Sequence, residues 1–484
     1  MKLWSRYNTL FCSKRYGWFL HNALSGVMLE LDERHYRIAK CLCDGKPISS
    51  SDHDREFIEM LEENGFLAQK EAEKVKLMTL RYQRNAACFS TGYVGLTICP
   101  TLACNFGCLY CFEQSQDDAT VMSDETIEAL MGFIRKHQEA KHLYVIWYGG
   151  EPLLAFHVME NLTAGFLKLY PDYDNAILVT NGYLLDERKI ERLNHLKISS
   201  VQITLDGSEK THNQRRILKN GGPTYERILR NIDLLMASSW KGKCSVRVNV
   251  DRGNRQEYAA IHKELLERYK GENLKVYPGY VKTFLEHSYD RQCGLCLSEW
   301  TELMVDGYKD EGIVPRGGFF PESGVQNICI ATSHYGHVIG PKGEMYKCWE
   351  DVGKEHMVIG SVHEDTAVTN PELVARYTIG TDPYQDAQCL ECNVFPICGG
   401  GCVNKRLRSQ QFVEPGLEYC SPFKESLRKY LEAYLETWQT KQICSAILGT
   451  GKAPSMEKGY CMVQPEKSRA EQAKNPLENL AEQE

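Results

Sequence analysis

A chain of 484 residues with 43% hydrophobic content has the composition of an ordinary globular protein, long enough for about three domains. The balance of 57 basic against 64 acidic residues, a formal charge of −7, argues against a basic nucleic-acid face and a polybasic membrane anchor. No apolar run reaches the roughly 18–20 residues of a membrane span. The opening Met1-Lys2-Leu3-Trp4 lacks a secretory apolar region, so a cytoplasmic location is expected.

Residues 1–85 read as a small separate unit. Tyr7–Cys12, Gly17–His21 and Gly26–Leu31 form three short strand-like runs broken by turn residues, and helical stretches follow near Asp32–Cys43 and Asp54–Asn64. The polar stretch 68–90 is expected to link this unit to the next as a helix or strand. From about 92 to 285 strands and helices alternate. Strand-like runs are Val94–Ile98, Leu143–Trp147, Ala176–Thr180, Val201–Leu205, Ser245–Val250 and Leu274–Val281, with amphipathic helices such as Ser123–Glu139, Asp186–Leu196, Thr224–Met236 and Glu257–Tyr269 between them. Six such units predict an α/β fold, a parallel sheet curved into a partial (β/α)6 TIM-like barrel. Sites on such sheets lie at the carboxyl ends of the strands. Gly149-Gly150-Glu151-Pro152, Thr180-Asn181-Gly182 and Asp206-Gly207 fall there. Residues 286–325 read as a connector and 326–425 as a cysteine-dense domain stabilised by metal rather than by a large core. A closing helix is expected over 426–448, and a disordered polar tail over 450–484.

The twenty cysteines carry the strongest chemical signal. Without a secretory signal, closely spaced cysteines point to metal or redox work rather than to disulfides. Cys104, Cys108 and Cys111 form a C-x-x-x-C-x-x-C run just past the first barrel strand. Three thiolates ligate three irons of a four-iron, four-sulfur cube and leave the fourth iron open. A zinc site would need a fourth ligand and usually two C-x-x-C knuckles, and only Cys99 is nearby. The interleaved Phe106, Tyr110 and Phe112 favour a partly shielded cluster. A second set runs Cys329, Gly343-x4-Cys348, Cys389-x2-Cys392-x5-Cys398-x3-Cys402 and Cys420. A zinc ribbon also uses C-x-x-C pairs, but seven cysteines in this order exceed what one ribbon needs. Cys12, Cys41, Cys43, Cys88, Cys99, Cys244, Cys444 and Cys461 are scattered and read as small buried hydrophobes or inert surface thiols.

The cysteine triplet, Tyr110 before its last member, the Gly-Gly-Glu-Pro turn and the barrel pattern together resemble a radical S-adenosylmethionine enzyme. The resemblance implies that Cys104, Cys108 and Cys111 hold a cluster whose open iron chelates S-adenosylmethionine. It further implies that an electron from the cluster splits that cofactor into a 5′-deoxyadenosyl radical. Tyr110 is then a cofactor-binding residue, and Gly149, Gly150, Glu151 and Pro152 receive the methionine ammonium. Thr204-Leu205-Asp206-Gly207 through His212 and Arg216 is similar to the segment that contacts ribose and methionine carboxylate, with Thr204 and Arg216 as the binding groups. As plain structure, Asp206-Gly207 and Asn181 would be turn residues and Arg216 a surface ion pair.

The second cysteine set resembles the SPASM domain, which implies two auxiliary four-iron clusters and three in all. By that resemblance Cys329, Cys348 and Cys402 ligate the first auxiliary cluster, with Cys296, or less favourably Cys293, as its fourth ligand, or with that iron left open. Cys389, Cys392, Cys398 and Cys420 ligate the second. The N-terminal strands and helices are similar to a winged-helix-like leader-peptide recognition element, which takes up an extended peptide as an added strand. A winged-helix DNA-binding domain is the alternative, and weak positive charge disfavours it. The function implied is a peptide maturase that cross-links a ribosomally made precursor, supplied with electrons by a flavodoxin or ferredoxin. No side chain is singled out as a catalytic base. An anaerobic sulfatase-maturing enzyme is the runner-up, although such enzymes carry Asp directly after the second SPASM cysteine, where this chain has Trp349. A catalytically inactive peptide escort is a third reading, disfavoured by the intact triplet.

Overall fold

The computed structural model describes residues 2–47, 52–111, 113, 119–137, 139–281, 294–315, 318–324, 328–414, 417–447 and 460–463. The chain folds into two compact units. One is built from 1–87, 297–328 and 382–476, the other from 88–296, 329–381 and 477–484.

The second unit holds a nine-stranded sheet. Six parallel strands stand side by side in chain order: Tyr93–Ile98, His142–Trp147, Ala176–Thr180, Ile198–Thr204, Lys243–Val250 and Leu274–Tyr280. Their alternation separates two faces. Val201, Ile203, Cys244, Val246, Val248 and Val250 are buried on one face, and Trp147 stacks on Phe166 of the helix Phe156–Leu169. The opposite face carries Gln202, Thr204, Arg247, Asn249 and Tyr277, where the Tyr277 hydroxyl donates to Gln202 Oε1 at 2.6 Å. The intervening helices start at the expected acceptors: Ser123 caps Asp124–Arg135 and Asp186 caps Glu187–Arg192.

The sheet does not close on itself. Among the described residues Leu274–Tyr280 pairs only with its predecessor, and the outer side of Tyr93–Ile98 is taken by the parallel strand Gly336–Ile339. Antiparallel Glu344–Tyr346 and Gly360–Ser361 continue from there. The α/β partial-barrel expectation describes the six strands, and the three added ones come from the segment read as a cysteine-dense domain from 326. Residues 329–381 therefore group with the barrel sheet, whereas 382–476 group with the N-terminal segment.

In that first unit Asn8–Ser13, Gly17–Asn22 and Met28–Leu31 form an antiparallel sheet. One face packs Leu20, Leu29 and Leu31 against Phe57, Leu61 and Phe66 around the helices Glu33–Cys43 and Asp52–Glu63. The other packs Phe11, Phe19 and Met28 against Leu80 and against Leu427, Leu431 and Leu435, which lie four residues apart along the closing helix Phe423–Ile447. Each buried leucine stabilises the unit by about 1.5–3 kcal/mol.

Two segments differ from expectation. The connector contains a helix, Leu297–Glu311, whose Met304 and Val305 pack on Phe319, Tyr430 and Ala433. The tail expected to be disordered holds, among its described residues, a strand, Tyr460–Val463, which pairs antiparallel with Met28–Leu31. Among the described residues no helix is long and apolar enough to cross a membrane.

Candidate active site

Cys104, Cys108 and Cys111 lie in the loop that leaves the first parallel strand, and two neighbouring segments fix that loop. The first is the Gly-Gly-Glu turn after the second strand. Gly150 N–H donates to Thr101 O at 3.2 Å and Glu151 N–H to Ala103 O at 2.9 Å. Gly149 has φ +106°, and a Cβ at Gly150 would come within 2.3 Å of the carbonyl oxygens of Leu102 and Ala103. Only glycine allows this backbone-on-backbone approach. The second is the segment after the fourth strand. Gly107 N–H donates to Ile217 O, Leu109 N–H to Arg215 O, and Lys219 N–H to Asn105 O.

Glu151 is fully buried. Its carboxylate accepts from Leu153 N–H at 3.0 Å, the Thr180 hydroxyl at 2.7 Å and Asn181 N–H at 2.8 Å. Burial raises its pKa, and the Asn181, Thr180 and Leu153 bonds work against that rise. Its side chain thus joins the ends of the second and third strands. Asn181 in turn donates to Asn105 Oδ1 at 2.8 Å, with Cys104 Sγ 3.9 Å from the same nitrogen.

Tyr110 is a half-buried hub. Its hydroxyl donates to Asp206 Oδ2 and accepts from Arg216 Nη1 at 2.7 Å and Asn249 Nδ2 at 2.9 Å. These three bonds use the one proton and both lone pairs of a phenol. The Arg215 guanidinium lies 5.1 Å from the Tyr110 ring centroid. It pairs with Asp206 at 3.3 Å and Asp251 at 2.5 Å. His212 is buried, and burial, helped by Arg216 and Arg215, holds its pKa well below the ordinary value. The neutral ring accepts at Nδ1 from Asp206 N–H, so Nε2–H donates to Thr224 Oγ1, whose proton goes to Arg216 O. This chain clamps the turn that presents Arg216.

Arg216 is the group most exposed to a missing partner. It is buried, it lies 5.7 Å from the Phe106 ring centroid, and its Nε–H has no hydrogen-bond acceptor among the described residues. Its charge acts on Cys104, Cys108 and Glu151. Thr204 is buried at the end of the fourth strand, opposite Arg247.

The triplet thiols sit close enough to feel one another. Burial and then Glu151 push Cys104 up to about 12, against the Phe106 N–H and Arg216, while burial also raises Cys108 and Cys111. Among the described residues no three His, Cys, Asp or Glu side chains converge on a single metal ion. A four-iron cube makes a different demand, because its thiolates bind separate irons and stand apart. Three thiols in one fixed loop, Cys108 buried and Cys104 and Cys111 half-buried, beside a buried cation with an unused N–H, fit such a group together with a carboxylate-bearing ligand.

Of the second cysteine set, Cys329 and Cys348 belong to the sheet unit, as does the exposed Cys296, and Cys293 lies outside the described residues. Cys389, Cys392, Cys398, Cys402 and Cys420 belong to the first unit. Arg406 Nη2 donates to Cys389 Sγ at 2.9 Å, and Lys424 Nζ to Cys420 Sγ at 3.4 Å. Gly399, Gly400 and Gly401 all take positive φ, and Cys402 N–H then donates to Tyr419 O at 3.1 Å, beside Cys420. The sequence reading missed Arg215, Asn249 and Asp251. For Asn249 and Asp251 the signal was polar residues recurring at alternate positions along and just past the fifth strand, Arg247, Asn249 and Asp251.

Residues 98–289 match the Radical SAM superfamily. The chain carries a radical SAM domain. That makes it an enzyme of radical redox chemistry, whose family uses a four-iron, four-sulfur cluster and S-adenosylmethionine. It is 24% identical to the serine-type anaerobic sulfatase-maturating enzyme of Bacteroides thetaiotaomicron, over 65% of this chain and 84% of that protein. It is 23% identical to the cysteine-type enzyme of Clostridium perfringens over 66% and 92%. Similarity to the radical SAM cyclopropyl synthase TigE of Paramaledivibacter caminithermalis, 20% identical, extends over 85% of this radical SAM chain and 92% of that protein. The solved structure of anSMEcpe with bound AdoMet shares the fold, with a TM-score of 0.56 at 20% identity, covering 73% of this chain and 99% of that one.

Proposed function

We propose that this radical SAM enzyme is a peptide maturase, which takes up a ribosomally made precursor through residues 1–85 and modifies it, most simply by a thioether or other cross-link. The observation that carries this reading is the N-terminal antiparallel sheet outside the radical SAM domain, three strands whose Met28–Leu31 edge accepts a further short strand, Tyr460–Val463, as it would an extended peptide. Polypeptide substrates also fit the comparisons. The sulfatase-maturating relatives are named for acting on a sulfatase, and one solved anSMEcpe structure, alike in fold, holds a peptide.

In this reading Cys104, Cys108 and Cys111 hold the radical cluster. When bound, that cluster supplies the electron that breaks a carbon–sulfur bond of S-adenosylmethionine. Arg216 offers its unused Nε–H to the cofactor carboxylate as a charge-assisted bond, and Thr204 offers its hydroxyl. Gly149 to Pro152 bring backbone groups close to the cysteine loop for the ammonium. Tyr110 and Glu151 act as positioning residues, since protein groups already use the tyrosine hydroxyl fully and both carboxylate oxygens. Cys389, Cys392, Cys398 and Cys420 form one auxiliary site, with Arg406 and Lys424 offsetting its negative charge. Cys329, Cys348 and Cys402 belong to the other, with Cys296 the remaining candidate, for three clusters in all. A flavodoxin or ferredoxin would supply the electrons.

The sulfatase-maturing alternative is disfavoured at the position after Cys348. Trp349 stands there and stacks on Tyr148 at 5.3 Å, while Asp351 accepts from the Tyr377 hydroxyl. Anaerobic co-expression with the peptide encoded beside the gene, followed by mass spectrometry, is the test. Loss of two hydrogens per bond formed, dependent on residues 1–85, is expected. Formylglycine in a sulfatase peptide, with the neighbouring peptide unchanged, overturns the reading.

A further inference from the structure

The edge strand Met28–Leu31 is occupied by the chain itself. Tyr460, Cys461, Met462 and Val463 pair in antiparallel register with Leu31, Glu30, Leu29 and Met28. We propose that Tyr460–Val463 is a resident ligand of the edge where an extended peptide docks, and that an incoming peptide must displace it. The inference rests on the peptide-maturase reading for its partner but not for its test.

The segment is seated like a bound peptide rather than like an interior strand. Four paired residues make a short strand, bounded in sequence by Gly459 on one side and by Pro465 two residues beyond Val463. Its two anchors enter different cores. The Tyr460 ring meets His35 at 5.5 Å and Phe57 at 5.4 Å. Val463 is 2% exposed and joins the cluster of Phe11, Phe19 and Met28. Between them Met462 is 41% exposed. Main-chain pairing with side chains in separate pockets is how sheet edges bind peptides. An aromatic residue followed three positions later by a branched aliphatic one is therefore the pattern this edge selects. The opposite edge, Asn8–Ser13, is already engaged at Cys12 O, which accepts from Arg428 Nη2 at 2.7 Å. A tethered ligand acts at an effective concentration of about millimolar, so it weakens any free competitor while leaving the edge protected from unwanted pairing.

The probe is a fluorescently labelled peptide of residues 455–468. It should bind a chain ended at residue 447 at least about tenfold more tightly than the intact chain. The full-length Cys461→Pro variant should behave like the shortened chain, because Cys461 stands in the hydrogen-bonded register opposite Glu30 and proline removes its strand N–H. Equal binding to all three, or none to either altered chain while both still cleave S-adenosylmethionine, overturns the proposal. Amide exchange adds a second readout. With a bound precursor, protection should move off 461–463 while 28–31 stay protected; unchanged protection at 461–463 with precursor bound also overturns it. Product analysis judges the maturase reading separately, since the labelled peptide needs no substrate.

Discussion

In the sheet unit the site groups hold one another: Tyr110, Asp206, Arg215, Arg216, Asn249 and Glu151 form hydrogen-bonded links that need no ligand to persist. In the first unit the cysteines between 389 and 420 sit on short turns and glycines, with Arg406 and Lys424 beside their sulfurs. One region is held by hydrogen bonds among its own polar side chains, whereas in the other Cys392 and Cys398 lie against the apolar cluster of Val394 and Ile397 and the remaining sulfurs sit on short turns. The difference teaches where metal supports the fold and where it only uses it. Removing iron should loosen 386–422 while leaving the parallel sheet intact.

The largest effect expected is on chemistry rather than on folding. Changing Cys104, Cys108 and Cys111 together to Ala should reduce 5′-deoxyadenosine formation below detection, while iron at the other cysteines and its absorbance persist. Fully loaded, the unaltered chain should hold about twelve irons. Next, Arg215→Met would leave Asp206 and Asp251 buried without their cation. A loss of about 3–5 kcal/mol follows, read as a lower thermal midpoint of the sheet unit. The same substitution should leave amide protection in the N-terminal sheet unchanged, which sharpens the contrast between the units.

Much of the parallel sheet was legible because β-branched runs recur at βα spacing, and Ala176–Thr180 agrees to the residue with the strand found. The cysteine loop was legible because ligand spacing is written in covalent sequence. The Tyr110 hub was not, because it joins residues near 110, 206, 215 and 249, whose meeting depends on strand order. The helix Leu297–Glu311 did carry a helical signal, with Trp300, Leu303, Met304 and Tyr308 on one face and Glu299, Glu302 and Asp306 on the other, which the reading of 286–325 as a connector overlooked. The strand at 460 was hidden by length, since five residues between Gly459 and Pro465 in a polar tail give too short a window for alternation to register.

A smaller effect concerns acid. His21 is fully buried in the first unit, edge-on to Phe320 at 5.8 Å, and burial lowers its pKa to about 3. The unfolded chain takes up a proton near pH 6.5 and the folded one does not. The stability contributed by the neutral ring is therefore complete above that pH and falls as pH drops toward 3. Each pH unit in this window costs about 1.4 kcal/mol. Relative to His21→Leu, the unaltered chain should lose about that much between pH 5.5 and 4.5, measured by denaturant unfolding. Smallest of all, Lys424→Met removes a mostly exposed cation from Cys420. It should change stability by less than about 1 kcal/mol and leave iron content unchanged.

The contact of Gly149 and Gly150 with Thr101 to Ala103 has a wider consequence. Main chain lying on main chain leaves no soft side chain to absorb a shift, so the triplet loop is bolted to the second strand like a fixed instrument mount. Whatever distinguishes one substrate from another must then be tuned elsewhere around the mouth. Within the sheet unit, the half-buried, stacked Tyr148 and Trp349 stand beside that turn and are where such tuning would fall.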